Sequence, residues 1–90
     1  MKFEWDVGKA AANLASHRVS FEEAKTVFDD LLYVDFHDPD HSGDEHRFLI
    51  VGESRQRRLL IVSYTERGDV TRLISARDVT LSERKAYEEE

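Results

Sequence analysis

Residues 45–77, EHRFLIVGESRQRRLLIVSYTERGDVTRLISAR, decide the fold of this chain. They divide into strand-like runs at Glu45–Ser54, Arg58–Thr65 and Val70–Arg77, joined by Arg55-Gln56-Arg57 and Glu66-Arg67-Gly68-Asp69. Connections this short join neighbouring antiparallel strands. In the middle run Leu59, Ile61 and Ser63 alternate with Leu60, Val62 and Tyr64, so both faces are largely apolar. A strand buried on both faces belongs inside its sheet. The stretch is therefore an antiparallel meander with its middle run at the centre.

Residues 47–77 hold seven of the nine arginines. Arg47, Arg55, Arg57, Arg58, Arg67, Arg72 and Arg77 face only Glu53, Glu66 and Asp69, a local balance of +4 in a chain of net charge −6. Residues 1–46 carry −7 and residues 78–90 carry −3. Arginine on a strand presents a planar, permanently charged fork suited to phosphate. That points to RNA or another phosphate-bearing ligand. Arginines on the wet side of a sheet also solubilise it and guard its edges, and charge alone does not separate the two readings.

Working outward, Phe3 to Trp5 reads as an edge strand or an anchor onto the core. Asp6 is an N-cap for a first helix, with Val7, Ala10, Ala11 and Leu14 at helical spacing and an end near His17. Arg18 then stands where a left-handed glycine cap is expected, which strains the turn. Ser20 and Glu23 form the capping box S-x-x-E after Val19 and open a second helix burying Phe21, Ala24, Val27, Phe28 and Leu31. Leu32 to Phe36 reads as a strand, and His37 to Asp44, with the only proline, as a loop. Thr80 and Glu83 repeat the capping box and open a short final helix running into Tyr87-Glu-Glu-Glu90. Glutamates at a helix C-terminus oppose the helix dipole, so a basic partner would stabilise that helix. The result is an α+β fold: two N-terminal helices on a twisted antiparallel sheet of three to four strands, with a short C-terminal helix.

Ninety residues with 40% hydrophobic content and nine aromatics support a single domain, 1–90, with one core. The absence of cysteine excludes a disulfide framework and a thiolate metal site. No apolar run approaches membrane-spanning length and the start has no apolar leader region, so the expectation is a cytoplasmic protein with no membrane association. The acidic overall balance speaks against indiscriminate nucleic-acid binding.

The segments FEWDVGKAAANLASHRVSFEEAKTVF, DEHRFLIVGES, RLLIVSYTERG and TRLISARDVTLSERKAYEE, in that order and spacing, resemble the BrnT family of bacterial toxins. The resemblance runs from Phe3 to about Glu89. It implies a fold similar to RelE-type toxins and metal-independent endoribonuclease activity with no cofactor. It further implies that RNA is the substrate and that a cognate ribbon-helix-helix antitoxin is the partner, touching operator DNA only through that antitoxin. The chain departs from the family at Ser16, usually lysine, and at Arg18, usually glycine.

Metal-independent cleavage needs a base for the ribose 2′-OH, cations for the phosphorane and an acid for the leaving 5′ oxygen. Candidates for this chemistry are Arg67, Arg77, Glu45, Arg47 and His17, with Lys9, Arg72 and Asn13 contacting RNA. Arg67 lies in the YTERG turn. Arg72 and Arg77, an odd number of positions apart, point to opposite faces of an unbulged strand. With Ile74 inward, Arg72 is the structural one and Arg77 the phosphate ligand. Glu45 and Arg47 share a face, as proton acceptor and clamp or as a simple strand-end ion pair. His17 either titrates as acid or base or complements the helix dipole. Lys9 and Asn13, i and i+4 on the first helix, match family positions. Tyr64 is a further acid–base candidate. The run His37, Asp38, Asp40, His41, Asp44, Glu45 and His46 has metal-ligand chemistry but no recognisable spacing, and reads as a solvated loop without a metal.

Overall fold

The computed structural model describes residues 1–42 and 46–89. In chain order it forms β1 (Lys2–Glu4), α1 (Val7–His17), α2 (Phe21–Ala24) running into a 3-10 turn (Lys25–Asp29), β2 (Val34–Ser42), β3 (His46–Glu53), β4 (Leu59–Arg67), β5 (Val70–Asp78) and α3 (Leu81–Glu89). The sheet has five strands in the order β1-β5-β4-β3-β2. The meander of β3, β4 and β5 is antiparallel and β4 is central, as its two apolar faces require.

The sheet is larger than the three to four antiparallel strands expected, and it is mixed. β1 joins β5 in parallel, pairing Lys2 with Val70, Phe3 with Thr71 and Glu4 with Arg72. A three-residue strand carries no periodicity of its own, and its partner is nearly seventy residues away. β2 is also longer than expected, since strand pairing with β3 resumes at Ser42 and His46 after a register shift beyond His37. The proline that argued for a loop is tolerated because β2 is an edge strand.

Leu60, Val62 and Leu73, all buried, meet Val19, Phe21, Ala24 and Val27 on one side of the sheet. Full burial of such side chains contributes roughly 1.5–3 kcal/mol each. A ladder of rings extends this core, with Phe3–Phe28 at 5.2 Å, Phe28–Tyr64 at 5.1 Å and Tyr64–Phe48 at 5.5 Å between centroids. On the opposite side Val51, Leu59 and Ile61 pack under α3 against Val79 and Tyr87.

Two helical assignments change. Val7 and Leu14 are exposed, and the buried residue of α1 is Asn13. Its amide stands at the β5 edge beyond the short β1: Oδ1 accepts from Ala76 N at 3.0 Å, while Nδ2 donates to Ala76 O and Val19 O at 2.9 Å each. One side-chain amide thus replaces a missing strand, satisfying edge groups that burial would otherwise orphan. The second helix is only one turn before it tightens, and Leu31 lies outside the core at 97% exposed. Glu23 does not complete its box by reaching back to the cap. It accepts from Ser54 Oγ at 2.7 Å and from Arg58 Nη1 at 3.0 Å, tying α2 to the β3–β4 turn.

Candidate functional site

Residues directly opposite in an antiparallel pair share a sheet face, so the register assigns the arginines. Thr65 on β4 pairs with Arg47 on β3 and Arg72 on β5; Ser63 pairs with Leu49 and Ser75; Ile61 pairs with Val51 and Arg77. Between the pairs Tyr64–Leu73 and Ser63–Ser75, β5 carries one residue more than β4, so Ile74 is the extra residue of a β-bulge. The bulge restores parity. Arg72 and Arg77, expected on opposite faces, both project from the face away from α1 and α2, together with Arg47 and Arg67.

Arg47, Thr65, Arg72 and Glu4 form one row across four strands. Strands lie about 4.8 Å apart, so the backbones of Arg47 and Arg72 are separated by about 10 Å, within reach of two guanidinium forks. Arg72 Nη1 donates to Glu4 Oε2 at 2.6 Å. Arg47, half-buried, forms no hydrogen bond or ion pair among the described residues. Between them Thr65 is 1% exposed and its Oγ1 has no hydrogen-bond partner among the described residues. A buried hydroxyl left unsatisfied between two cations calls for an explanation. No periodicity marked Thr65 as special, because the signal exists only once the strands pair.

Arg77, expected to stand open to phosphate, is engaged by neighbouring groups. Its Nη1 and Nη2 are held by Glu83 Oε1 and Oε2 at 2.9 and 3.0 Å, and Nη1 also donates to Asp78 O at 3.1 Å. Hydrogen bonding to Arg77 holds the Glu83 carboxyl below its usual range. Glu83 also closes the capping box, accepting from Thr80 N at 2.8 Å. Arg77 therefore fastens α3 to the sheet. Arg67, two residues beyond Thr65, is itself engaged rather than unpaired. Glu45 lies outside the described residues, as does Asp44.

A protein-family model described as "Ribonuclease toxin, BrnT, of type II toxin-antitoxin system" matches residues 5–83. This chain belongs to the BrnT family. Its fold is similar to the crystal structure of the Brucella abortus ribonuclease toxin BrnT, with a TM-score of 0.66 and 22% identity, covering 89% of this chain and 97% of that one. No curated protein matches the chain. Among the described residues, no helix is long and apolar enough to cross a membrane.

Within this BrnT chain the other candidates separate into different places. Lys9, Asn13, Ser16, His17 and Ile74 line a shallow groove between α1 and the β5 edge. Asn13 faces it with an amide committed to Val19 and Ala76. Lys9 and His17 remain exposed there, beside the position where this chain has Ser16. Tyr64 sits on the opposite sheet face from Arg47 and Arg72. Burial and the nearby Asp35 carboxylate push its hydroxyl up to about 12, away from the range useful for acid–base work near neutrality. His37 Nε2 and His46 Nδ1 approach to 3.1 Å, and among the described residues no three histidines or carboxylates gather as metal ligands.

Proposed function

We propose that this chain is a metal-independent endoribonuclease toxin that cleaves RNA by attack of the ribose 2′-OH and thereby arrests translation. The observation carrying the reading is the row Arg47–Thr65–Arg72, in which an unpaired guanidinium, a second one held on one side only, and an orphaned hydroxyl share one sheet face. A scissile phosphate above Thr65 receives both forks. The 2′ oxygen attacks phosphorus, the bond to the 5′ oxygen breaks, and the products are a 2′,3′-cyclic phosphate and a 5′-hydroxyl. Arg47 and Arg72 stabilise the charge that grows on the phosphorane. Glu45, two residues before Arg47, is the proposed acceptor of the 2′-OH proton. His17 is the weaker candidate for protonating the leaving oxygen, because the α1 groove lies apart from the arginine row. Neutralisation is assigned to a cognate ribbon-helix-helix antitoxin, and the protein is placed in the cytoplasm.

A second reading has its own observation. Arg72 and Arg77 are both paired with carboxylates, Glu4 and Glu83, as expected of a partner-binding module without catalysis. RNA cleavage by the purified chain in EDTA separates the two. The nuclease reading expects Arg47→Ala and Arg72→Ala each to lower kcat by about 10²–10³, the cost of removing one transition-state donor, with the circular dichroism spectrum unchanged. Undiminished cleavage by the double variant refutes the arginine mechanism, and no cleavage by the wild-type chain leaves the binding module.

A further inference from the structure

The densest exposed apolar feature is the run between the 3-10 turn and β2. Leu31, Leu32 and Tyr33 are 97%, 74% and 46% exposed in succession. Contiguous exposed apolar side chains mark interaction sites more often than scattered ones do. This run is also held rigid. Asp30 Oδ1 accepts from Leu32 N at 2.9 Å, while Oδ2 accepts from Glu53 N at 2.8 Å and from the Tyr87 hydroxyl at 2.7 Å. A surface already fixed in one conformation loses little entropy on binding. Leu32 stands between two open grooves, one running past Tyr33, Val34 and Tyr87, the other past Thr26, Asp29 and Glu53. The outer edge of β2 bounds the site, with no further strand beyond it among the described residues.

Charge selects the occupant. Asp29, Asp35, Glu53 and Glu88 rim these grooves; of the nearby cations, Arg55 is paired with Asp29 at 3.1 Å and Arg84 with Glu88 at 3.5 Å, both at exposed positions. Glu88 and Glu89 also stand at the C-terminal end of α3, where carboxylates oppose the helix dipole and a cation relieves them. An acidic rim repels RNA and attracts a basic chain. We infer that the Leu31–Tyr33 patch is the docking site of the antitoxin, which inserts apolar side chains beside Leu31 and Leu32 while its lysines or arginines meet Asp35, Glu53 and Glu88. This rests on the reading of the chain as the toxin of a toxin–antitoxin pair. It places the main anchor at the β2–α3 edge, away from the row of Arg47 and Arg72.

The test is a titration of the full chain with the purified product of the adjacent gene, using wild type, Leu31→Asp/Leu32→Asp and Arg47→Ala/Arg72→Ala. The leucine variant is expected to lose roughly 100-fold in affinity, as for apolar anchors at an interface centre, and the arginine variant to stay within about threefold. Both leucines lie outside the core, so the leucine variant should keep its fold and any RNA cleavage of the parent, and its growth arrest should no longer be relieved by the antitoxin. Wild-type affinity in the leucine variant overturns the inference. So does a homodimer seen by sedimentation that the leucine substitutions abolish while antitoxin affinity is unchanged. A wild-type chain that does not bind the adjacent product removes the pairing on which the inference rests. A wild-type chain that binds it and cleaves no RNA refutes the nuclease reading alone, and the leucine variant still decides the docking site.

Discussion

Arg18 closes α1 with φ 58 and ψ 32, donating its N–H to Leu14 O at 2.9 Å. An L-residue with a Cβ in this left-handed region costs about 1–2 kcal/mol relative to glycine, which is why glycine dominates the position. The strained turn was legible because the helix signal ends abruptly at His17. Its tolerance was not, because it depends on Arg58 Nη1 donating to Arg18 O at 3.0 Å from forty residues away. That bond uses only the Arg18 backbone. Arg18→Gly is therefore expected to raise stability by about 1 kcal/mol, partly offset by added freedom in the unfolded chain. Urea unfolding monitored through Trp5 measures it, and a lower midpoint would mean that the Arg18 side chain contributes more than its φ costs. Asn13 teaches the converse. Its helical spacing puts it on one face with Lys9, and only the missing strand beside Ala76 makes it the buried residue of α1.

At the scale of elements, signals confined to a few neighbouring residues were readable and pairings were not. Asp6, Ser20 and Thr80 all cap the helices their positions implied. The bulge at Ile74 had no such local mark, because a bulge is a relation between two strands, and it alone decides which arginines share a face. The anchoring of α3 shows how such relations respond to pH. α3 has no buried residue and is held by the Arg77–Glu83 pair and by the Tyr87 hydroxyl on Asp30. Burial alone would raise the Asp30 carboxyl, but hydrogen bonds from Glu53, Leu32 and Tyr87 outweigh it and hold Asp30, like Glu83, below the usual range. A carboxyl depressed in the folded state stabilises above its unfolded pKa, about 4.3 for glutamate, and loses that contribution as pH falls through the folded value. Burial, with Asp30 adding to it, pushes Tyr87 up to about 12. A raised tyrosine contributes below about 10 and loses its contribution as pH rises through the folded value. The anchor is thus complete between these limits. Glu83→Gln should destabilise by about 0.5–1 kcal/mol at pH 7, the range of a half-exposed pair, and match wild type at an acid pH below the folded pKa of Glu83. Urea midpoints at the two pH values check this, and a gap that persists in acid would show that Glu83 acts through its shape rather than its charge.

For the whole molecule the decisive property is the separation of charge. The chain is acidic overall, yet Arg47 and Arg72 share one face of the sheet while Asp29, Asp35, Glu53 and Glu88 gather around the Leu31–Tyr33 edge. The sequence showed that the basic third coincides with the strands, but not that most of its arginines are spent on neighbouring carboxylates, since ion pairing is a property of the assembled surface. Arg55 meets Asp29, Arg58 meets Glu23 and Arg77 meets Glu83. If substrate meets only the row beside Thr65, few counterions leave the RNA on binding. For single strands the slope of log affinity against log salt is about −0.7 per phosphate neutralised, so two arginines give about −1.4. A 2′-O-methyl oligonucleotide, which cannot be cleaved through its 2′ position, allows binding to be measured by itself. Arg47→Ala should flatten the slope to about −0.7 and lower affinity alike for every sequence tested, as loss of a phosphate contact does. Arg77→Ala should leave the slope unchanged, because Glu83 occupies both of its Nη groups, whereas Glu4 holds only Nη1 of Arg72. A wild-type slope of about −3 or steeper would mean that cations outside the row, Lys9 and Arg18 foremost, also follow the backbone. The RNA path would then wrap the β5 edge toward α1 and bring His17 within reach of the leaving oxygen.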